Sequence, residues 1–297
     1  MSETVSPPVP PVVSAEWLRE HLDDHTVRVL DATTAIERGP DGSYANGGHA
    51  AYAAGHVPGA VFADLLTDFN DPSEFMFMAP SAAKFAEAAG AAGVGAGTHV
   101  VIYDQGDEHG APAAGVWASR LWWQFRFEGF DAVSVLDGGY RAWVAAGLPT
   151  TTQPSQVAPA EFAGVRRPEL VASKGDVAGF VGDPTKLIID SRAPEAYAGA
   201  ADRPYRSGHI PSAVNLYSRA HIDAATGLLR PARELEAALR SAGALDPDRT
   251  PVVYCGGGVS ATWNALALAV VGRPDAIVYD GSMLEWGADA TTPLVQS

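Results

Sequence analysis

One cysteine, Cys255, occurs in 297 residues. A lone thiol excludes an intramolecular disulfide framework and any multi-cysteine zinc site. Basic side chains are scarce: 20 Lys and Arg stand against 35 Asp and Glu, a formal net charge of −15. That balance argues against nucleic acid or an anionic membrane surface as a partner. No apolar run approaches the ~20 residues of a membrane span. The first residues, Met1-Ser-Glu-Thr-Val-Ser-Pro-Pro, lack the basic and apolar regions of a signal peptide. The expectation is a soluble cytoplasmic protein. No Gly-x-x-x-x-Gly-Lys-[Ser/Thr] segment is present, which removes P-loop nucleotide enzymes. His49 and His56 stand seven apart with no nearby third ligand, so no metal site is expected.

What is there suffices for a large core. The chain is 47% hydrophobic, and its length points to about two domains at roughly 100–200 residues each. The acidity is uneven. Residues 1–168 hold 20 acidic and 9 basic side chains, whereas residues 169–297 hold 15 and 11. The second half is the less hostile to a small anion.

Four blocks recur in order. Val29-Leu-Asp31 is echoed by Ile188-Ile-Asp190, and Gly55-His-Val-Pro by Gly208-His-Ile-Pro. Val100-Val-Ile-Tyr-Asp104 is echoed by Pro251-Val-Val-Tyr-Cys255, and Val135-Leu-Asp137-Gly by Val278-Tyr-Asp280-Gly. The offsets drift slowly, from 159 through 153 and 151 to 143 residues, which chance matches would not do. Short β-branched runs alternate with Ala/Leu-rich helical runs such as Ala82–Ala91 and Ala232–Ala242. That alternation predicts an α/β fold, each half a parallel sheet with helices on both faces. Leu148–Pro168, with its Thr-Thr-Thr-Gln-Pro-Ser-Gln stretch and scattered prolines, reads as the linker. The expected division is 12–147, linker 148–168, and 169–297.

Cys255 ends the apolar strand run Val252-Val253-Tyr254 and opens the turn Gly256-Gly257-Gly258-Val259-Ser260 before a helical run from Ala261 to Val271. Ligands of such sheets bind beyond the carboxyl ends of strands. Strand, glycine turn and helix N-terminus form a nest of backbone N–H groups that favours negative charge and a thiolate near neutral pH. Ser260 is the expected helix cap, with a hydroxyl able to donate to the sulfur. Asp104 holds the corresponding place in the first half. Aspartate cannot carry a transferable sulfur, so the first half is expected to be non-catalytic and to wall one side of a cleft.

These residues resemble the two-domain rhodanese family of thiosulfate and 3-mercaptopyruvate sulfurtransferases. The resemblance covers roughly residues 12–290. It rests on the paired Gly-His-[Val/Ile]-Pro segments, the Cys255–Ser260 loop and the block Tyr279-Asp-Gly-Ser-Met-Leu-Glu-Trp-Gly287. It implies two tandem rhodanese-like domains with Cys255 catalytic through a persulfide, and no metal or organic cofactor. It also implies a small anionic sulfur donor and a thiol, cyanide or thioredoxin-like acceptor.

The sequence departs from the family where the donor binds. Members preferring thiosulfate carry basic residues just after the cysteine, where this chain has Gly256 and Gly257. Members preferring 3-mercaptopyruvate read Cys-Gly-[Ser/Thr]-Gly-Val, and here the hydroxyl position is Gly257. A relay in that subfamily uses a first-domain aspartate and histidine. Asp64 matches the former, and Phe77 occupies the latter. The usual substrate arginine position is Ala196, leaving Arg192, and Arg203 or Arg206, as carboxylate-binding candidates. An ion pair to Glu195 is the competing expectation for Arg192.

The paired His56 and His209 suit a structural role, since only one half has a cysteine. Trp117, Trp123 and Phe127 have helical spacing and fit core or domain interface. Asp280 and Glu285 read as turn and cap residues, and Asp107 and Glu108 as a solvated loop. A cysteine phosphatase would need an arginine six residues after the cysteine, where Ala261 stands. Two classes remain: an enzyme transferring sulfur through Cys255, or a non-enzymatic persulfide carrier or interaction module charged by a partner protein.

Overall fold

The computed structural model describes residues 9–38, 44–106, 115–200 and 204–296. Asp107, Glu108 and Arg203, considered above, lie outside the described residues. Twelve strands are found among the described residues: β1 (Val12–Val13), β2 (Val27–Asp31), β3 (Ile36–Arg38), β4 (Tyr44–Asn46), β5 (Val61–Phe62), β6 (His99–Tyr103), β7 (Val133–Leu136), β8 (Val171–Ala172), β9 (Lys186–Asp190), β10 (Val214–Asn215), β11 (Thr250–Tyr254) and β12 (Ile277–Tyr279). The first sheet has the order β1-β7-β6-β2-β5 and the second β8-β12-β11-β9-β10, with every pairing parallel. The duplicated sequence blocks therefore occupy the same strands in the same order. A small antiparallel pair, β3 with β4, belongs to the first half alone.

Helices pack on the sheets, which is why the central strands are apolar along most of their length rather than alternating. Val100, Val101 and Ile102 are fully buried in β6, as are Val252, Val253 and Tyr254 in β11. The helix Ala82–Ala91 has the bounds its composition predicts, with Ser81 accepting the Lys84 N–H at its start. The helix Ala232–Ser241 likewise follows its Ala/Leu run. No helix among the described residues is long and apolar enough to cross a membrane.

His56 and His209 do the same structural work in each half. Each ring stacks on a tyrosine, Tyr52 or Tyr197, and bonds that tyrosine's carbonyl through Nδ1, at 2.8 and 2.9 Å. Each histidine also forms an antiparallel bridge, His56 with Thr151 and His209 with Val295.

The two sheets are joined by one continuous core. Helix Val116–Phe127 of the first half packs along helix Ser260–Val270 of the second. Trp122, Trp123, Trp263 and Leu266 share a single apolar cluster, and Ser119 and Thr262 are hydrogen-bonded at 2.9 Å between the helices. The ends of β7 and β12 make reciprocal contacts. Asp137 accepts the Leu229 N–H at 2.7 Å, and Asp280 accepts the Ala79 N–H at 2.8 Å. The turn role expected for Asp280 is thus incomplete. The carboxylate crosses the interface and pairs with buried Arg120 at 2.6 Å.

Candidate active site

Cys255 follows β11 at the carboxyl edge of the second sheet. Its side chain is 2% exposed, yet it lines a cavity of about 490 Å³. Both halves build the walls. Thr34, Ile36, Phe77, Val116 and Trp117 come from the first. Ser191, Arg192, Tyr205, Tyr217 and Arg219 come from the second, with Gly256, Gly257, Val259 and Ser260 of the cysteine loop. The described lining includes two arginines and neither Asp nor Glu, in a molecule of net charge −15.

The loop is tight because Gly258 adopts φ +79°, and a Cβ there would lie 2.5 Å from the Asp280 carbonyl oxygen. Only glycine meets both conditions. The following helix starts at Ser260, with Val259 as its cap and no side-chain capping bond. The capping role expected of Ser260 is therefore corrected: it is the first helical residue, and a cap side chain must sit one place earlier. Among the described residues, no acceptor meets the N–H groups from Gly256 to Ala261. The Cys255 N–H is used, donating to Ser282 Oγ at 3.1 Å.

The sequence candidates fare differently. Arg192 lines the cavity, but its ion-pair partner is Asp190 rather than Glu195, with Nη2–Oδ2 at 2.6 Å and Nε–Oδ1 at 3.0 Å. Nη2 also donates to the Gly208 carbonyl at 2.7 Å. Burial disfavours the guanidinium charge, yet Asp190 outweighs that and holds the Arg192 pKa above its ordinary value.

Arg206 is not in the lining. It donates to the carbonyls of Gly287 and Asp289 and to Thr292, and so fastens the C-terminal segment. Its assignment to substrate is corrected, because those acceptors engage the guanidinium away from the cavity.

Asp64 is also outside the lining. It accepts the Leu66 N–H at 2.7 Å and the Asn46 side-chain amide at 3.1 Å. Asn46 in turn accepts the N–H groups of Ala35 and Gly48. Asp64 thus supports, through Asn46, the segment that carries Thr34 and Ile36. Phe77, at the expected histidine position, is a cavity wall with φ +66°, its ring 5.2 Å from that of Trp117. Ala196 is buried in the short helix Pro194–Ala198.

Sequence reasoning missed Arg219, whose position in the short 3-10 helix Ser218–His221 carries no local signal. It also missed Arg120 and Ser282, which act from behind the loop. Arg120 Nη1 donates to Asp280 at 2.6 Å and to the Gly258 carbonyl at 3.2 Å, while Nη2 donates to the Phe77 carbonyl.

The corresponding strand end in the first half, after β6, holds an anion of its own. Asp104 accepts the N–H groups of Gly106, Gly115 and Ala118 at 2.9, 2.8 and 2.9 Å. Burial pushes its pKa up to about 6 against the lowering effect of those bonds.

Comparison with known proteins agrees with this geometry. Residues 14–146 and 173–289 each match the family described as Rhodanese-like domain. The chain is 35% identical to human 3-mercaptopyruvate sulfurtransferase, over 93% of this chain and 91% of that protein. It is 36% identical to chicken thiosulfate sulfurtransferase, over 93% and 92%. The crystal structure of SseA from Escherichia coli, a 3-mercaptopyruvate sulfurtransferase with the rhodanese fold, superposes with a TM-score of 0.78 at 32% identity. That match covers 92% of this chain and 99% of the other. With both sheets, their repeated order and most of the length accounted for, the chain belongs to the rhodanese-like domain family and carries that domain twice.

Proposed function

We propose that this protein is a sulfurtransferase that moves a sulfane sulfur from 3-mercaptopyruvate or thiosulfate to a thiol or cyanide acceptor through a persulfide on Cys255. The observation that carries the reading is the placing of the sole thiol in an arginine-bearing cavity with no carboxylate among its described lining residues, on a loop whose N–H donors meet no acceptor among the described residues. The Cys255 thiolate attacks the donor sulfur, and a new S–S bond forms. With 3-mercaptopyruvate the C–S bond breaks, and the thiol proton ends on the methyl group of pyruvate. With thiosulfate the S–S bond breaks and sulfite leaves. The acceptor then takes the outer sulfur and returns the thiolate, so one difficult transfer becomes two easier ones. Loop N–H groups stabilise the anion at each stage.

Arg192 and Arg219 supply charge for an anionic donor, the former already shared with Asp190. Gly256 and Gly257 add no cation, which ranks 3-mercaptopyruvate ahead of thiosulfate. In this reading residues 12–147 form the non-catalytic unit, 148–168 the linker and 169–297 the catalytic unit. The acceptor side favours the cytoplasm, where small thiols and thioredoxin-like proteins stay reduced.

The test offers each donor separately and measures product release and intact mass. The wild type gains one sulfur atom on Cys255 and turns over with cyanide or a thiol. Cys255→Ser gains none and loses turnover by at least about a thousandfold. Full turnover in that variant would remove the mechanism. Charging by a protein partner but by neither small donor would make the chain a carrier.

A further inference from the structure

We infer that Arg120, on the non-catalytic half, is a positioning residue for the cysteine loop: by holding the Gly258 carbonyl from behind, it turns the Val259 N–H into the nest that serves Cys255. The inference rests on the sulfurtransferase reading of that site. In a trans peptide the carbonyl oxygen and the following N–H point in opposite directions, and the described chain contains no cis peptide. Pinning a loop carbonyl on one side therefore aims the next N–H to the other.

Three loop carbonyls are pinned from outside the loop and the helix that follows it, whose own Thr262 holds the Val259 carbonyl. The Cys255 carbonyl accepts the Met283 N–H at 3.1 Å, and the Gly256 carbonyl accepts the Leu284 N–H at 2.8 Å. Both donors come from the N-terminus of the helix Ser282–Trp286 in the catalytic half. They aim the N–H groups of Gly256 and Gly257 away from that helix. The third carbonyl, of Gly258, meets no backbone donor among the described residues and is held at 3.2 Å by Arg120 Nη1. Gly256, Gly257 and Val259 all line the cavity, so the side away from the donors is the sulfur's side. The catalytic half supplies two of the three supports, and the other half supplies the last.

Arg120 is built for a fixed position. Its side chain is 1% exposed, paired with Asp280 at 2.6 Å, and its guanidinium lies 4.7 Å from the centre of the Trp123 ring. Its second terminal nitrogen donates to the carbonyl of Phe77, a wall of the same cavity. A buried ion pair is poor evidence of stabilisation by itself, because desolvation offsets most of the attraction. Here the pair delivers a planar fork to two carbonyls at the site, which lysine, a point donor, cannot reproduce. This also gives the cysteine-free half a part in the chemistry beyond forming a wall.

The experiment uses the full chain with Arg120→Met, Arg120→Lys, Asp280→Asn and, as an interface control, Asp137→Asn. The control alters the reciprocal cross-interface bond to the Leu229 N–H without touching the loop. Two rates are read well below each variant's melting temperature: alkylation of Cys255 by iodoacetamide across pH, and single-turnover formation of the persulfide. Arg192 and Arg219, the charges lining the cavity, stay in place throughout.

Arg120→Met should slow both reactions by about tenfold or more near neutral pH, the scale of misplacing one anion-binding donor. Alkylation should recover at high pH, where the thiol ionises unaided. KM for the donor should move little beside kcat, and Arg120→Lys should restore part of the loss. Asp280→Asn, which removes the anchor of the guanidinium, should act in the same direction and serves if Arg120→Met does not fold. Asp137→Asn should lower the melting temperature and leave both rates within about twofold. Unchanged alkylation in Arg120→Met and Asp280→Asn, or an equal loss in Asp137→Asn, would overturn the inference. Failure of the wild type to accept sulfur from either donor would instead strike the sulfurtransferase reading, since alkylation reports the loop without any sulfur transfer.

Discussion

Positions 104 and 255 follow corresponding strands, β6 and β11, with two different side chains. Asp104 draws three N–H groups to its carboxylate, while beside Cys255 the N–H groups from Gly256 to Ala261 meet no acceptor among the described residues. The aspartate has a consequence for pH. Its folded pKa is raised from 3.8 to about 6, first by burial, so the folded state holds the proton longer than the unfolded chain. Its stabilising contribution is complete below about pH 3.8 and is lost as pH rises to about 6.

His221 behaves oppositely. Burial lowers its pKa from 6.5 to about 4, so its contribution is present above about pH 6.5 and is lost on acidification toward 4. Each shift is worth up to about 3 kcal/mol at 1.36 kcal/mol per unit, and the two largely offset each other in the wild type. Asp104→Asn should therefore expose a stability that rises between pH 4 and 6. His221→Gln, which keeps a donor toward Asn264 Oδ1, should expose one that falls. Denaturant melts across that pH range read both slopes, and parallel wild-type and variant profiles would refute the assignment.

At the scale of elements, the site is a strand end, a glycine turn and two helix starts. Helix Ser260–Val270 begins with unspent donors, whereas helix Ser282–Trp286 spends two of its own on the loop carbonyls. Ser282 ties the pieces together, accepting the Cys255 N–H at 3.1 Å and donating to the Tyr279 carbonyl at 2.8 Å. It is fully buried and sits at φ +49°. Ser282→Ala strands both partners and should cost about 2–3 kcal/mol in a denaturant melt, at about 1–3 kcal/mol for each buried group left unpaired. Persulfide formation should slow as well, because the strand end that aims the sulfur loses its tether. A cost below about 0.5 kcal/mol would mean that water satisfies both groups.

The strand, the turn and the helical run were legible in the sequence, since each is written in contiguous residues: Val252–Tyr254, Gly256–Gly258, then an alanine-rich stretch. The repeat made the sheets legible in the same way. Arg120 was not legible, because its partner Gly258 lies 138 residues away and an arginine in an aromatic helix gives no sign of what it reaches. Arg206 and Asp64 were misread for a related reason. A role carried by position is not written in the residue itself, and the fold brings Arg206 to carbonyl acceptors of the C-terminal segment and Asp64 to the N–H donors of Leu66 and Asn46.

At the scale of the whole molecule, a negative body surrounds a cavity walled in part by arginine. The formal charge is −15, and both halves are net acidic, whereas the described lining of the cavity offers Arg192 and Arg219 and no carboxylate. An anionic donor is therefore repelled at long range and attracted only on arrival. The two ranges respond differently to salt. At about 10 mM ionic strength the Debye length is about 30 Å and most of the body's charge is felt, whereas at about 150 mM it is about 8 Å. Contacts inside the cavity lie within that shorter distance and persist. Adding salt across this range should raise kcat/KM for thiosulfate or 3-mercaptopyruvate by about two- to fivefold, through faster encounter. It should leave kcat nearly unchanged, since that constant begins from the bound complex. Steady-state rates with a saturating thiol acceptor measure both constants. A kcat/KM that falls with salt would mean that the arginines' field reaches past the cavity mouth and steers the donor in, and the charge on the rest of the surface would then serve solubility alone.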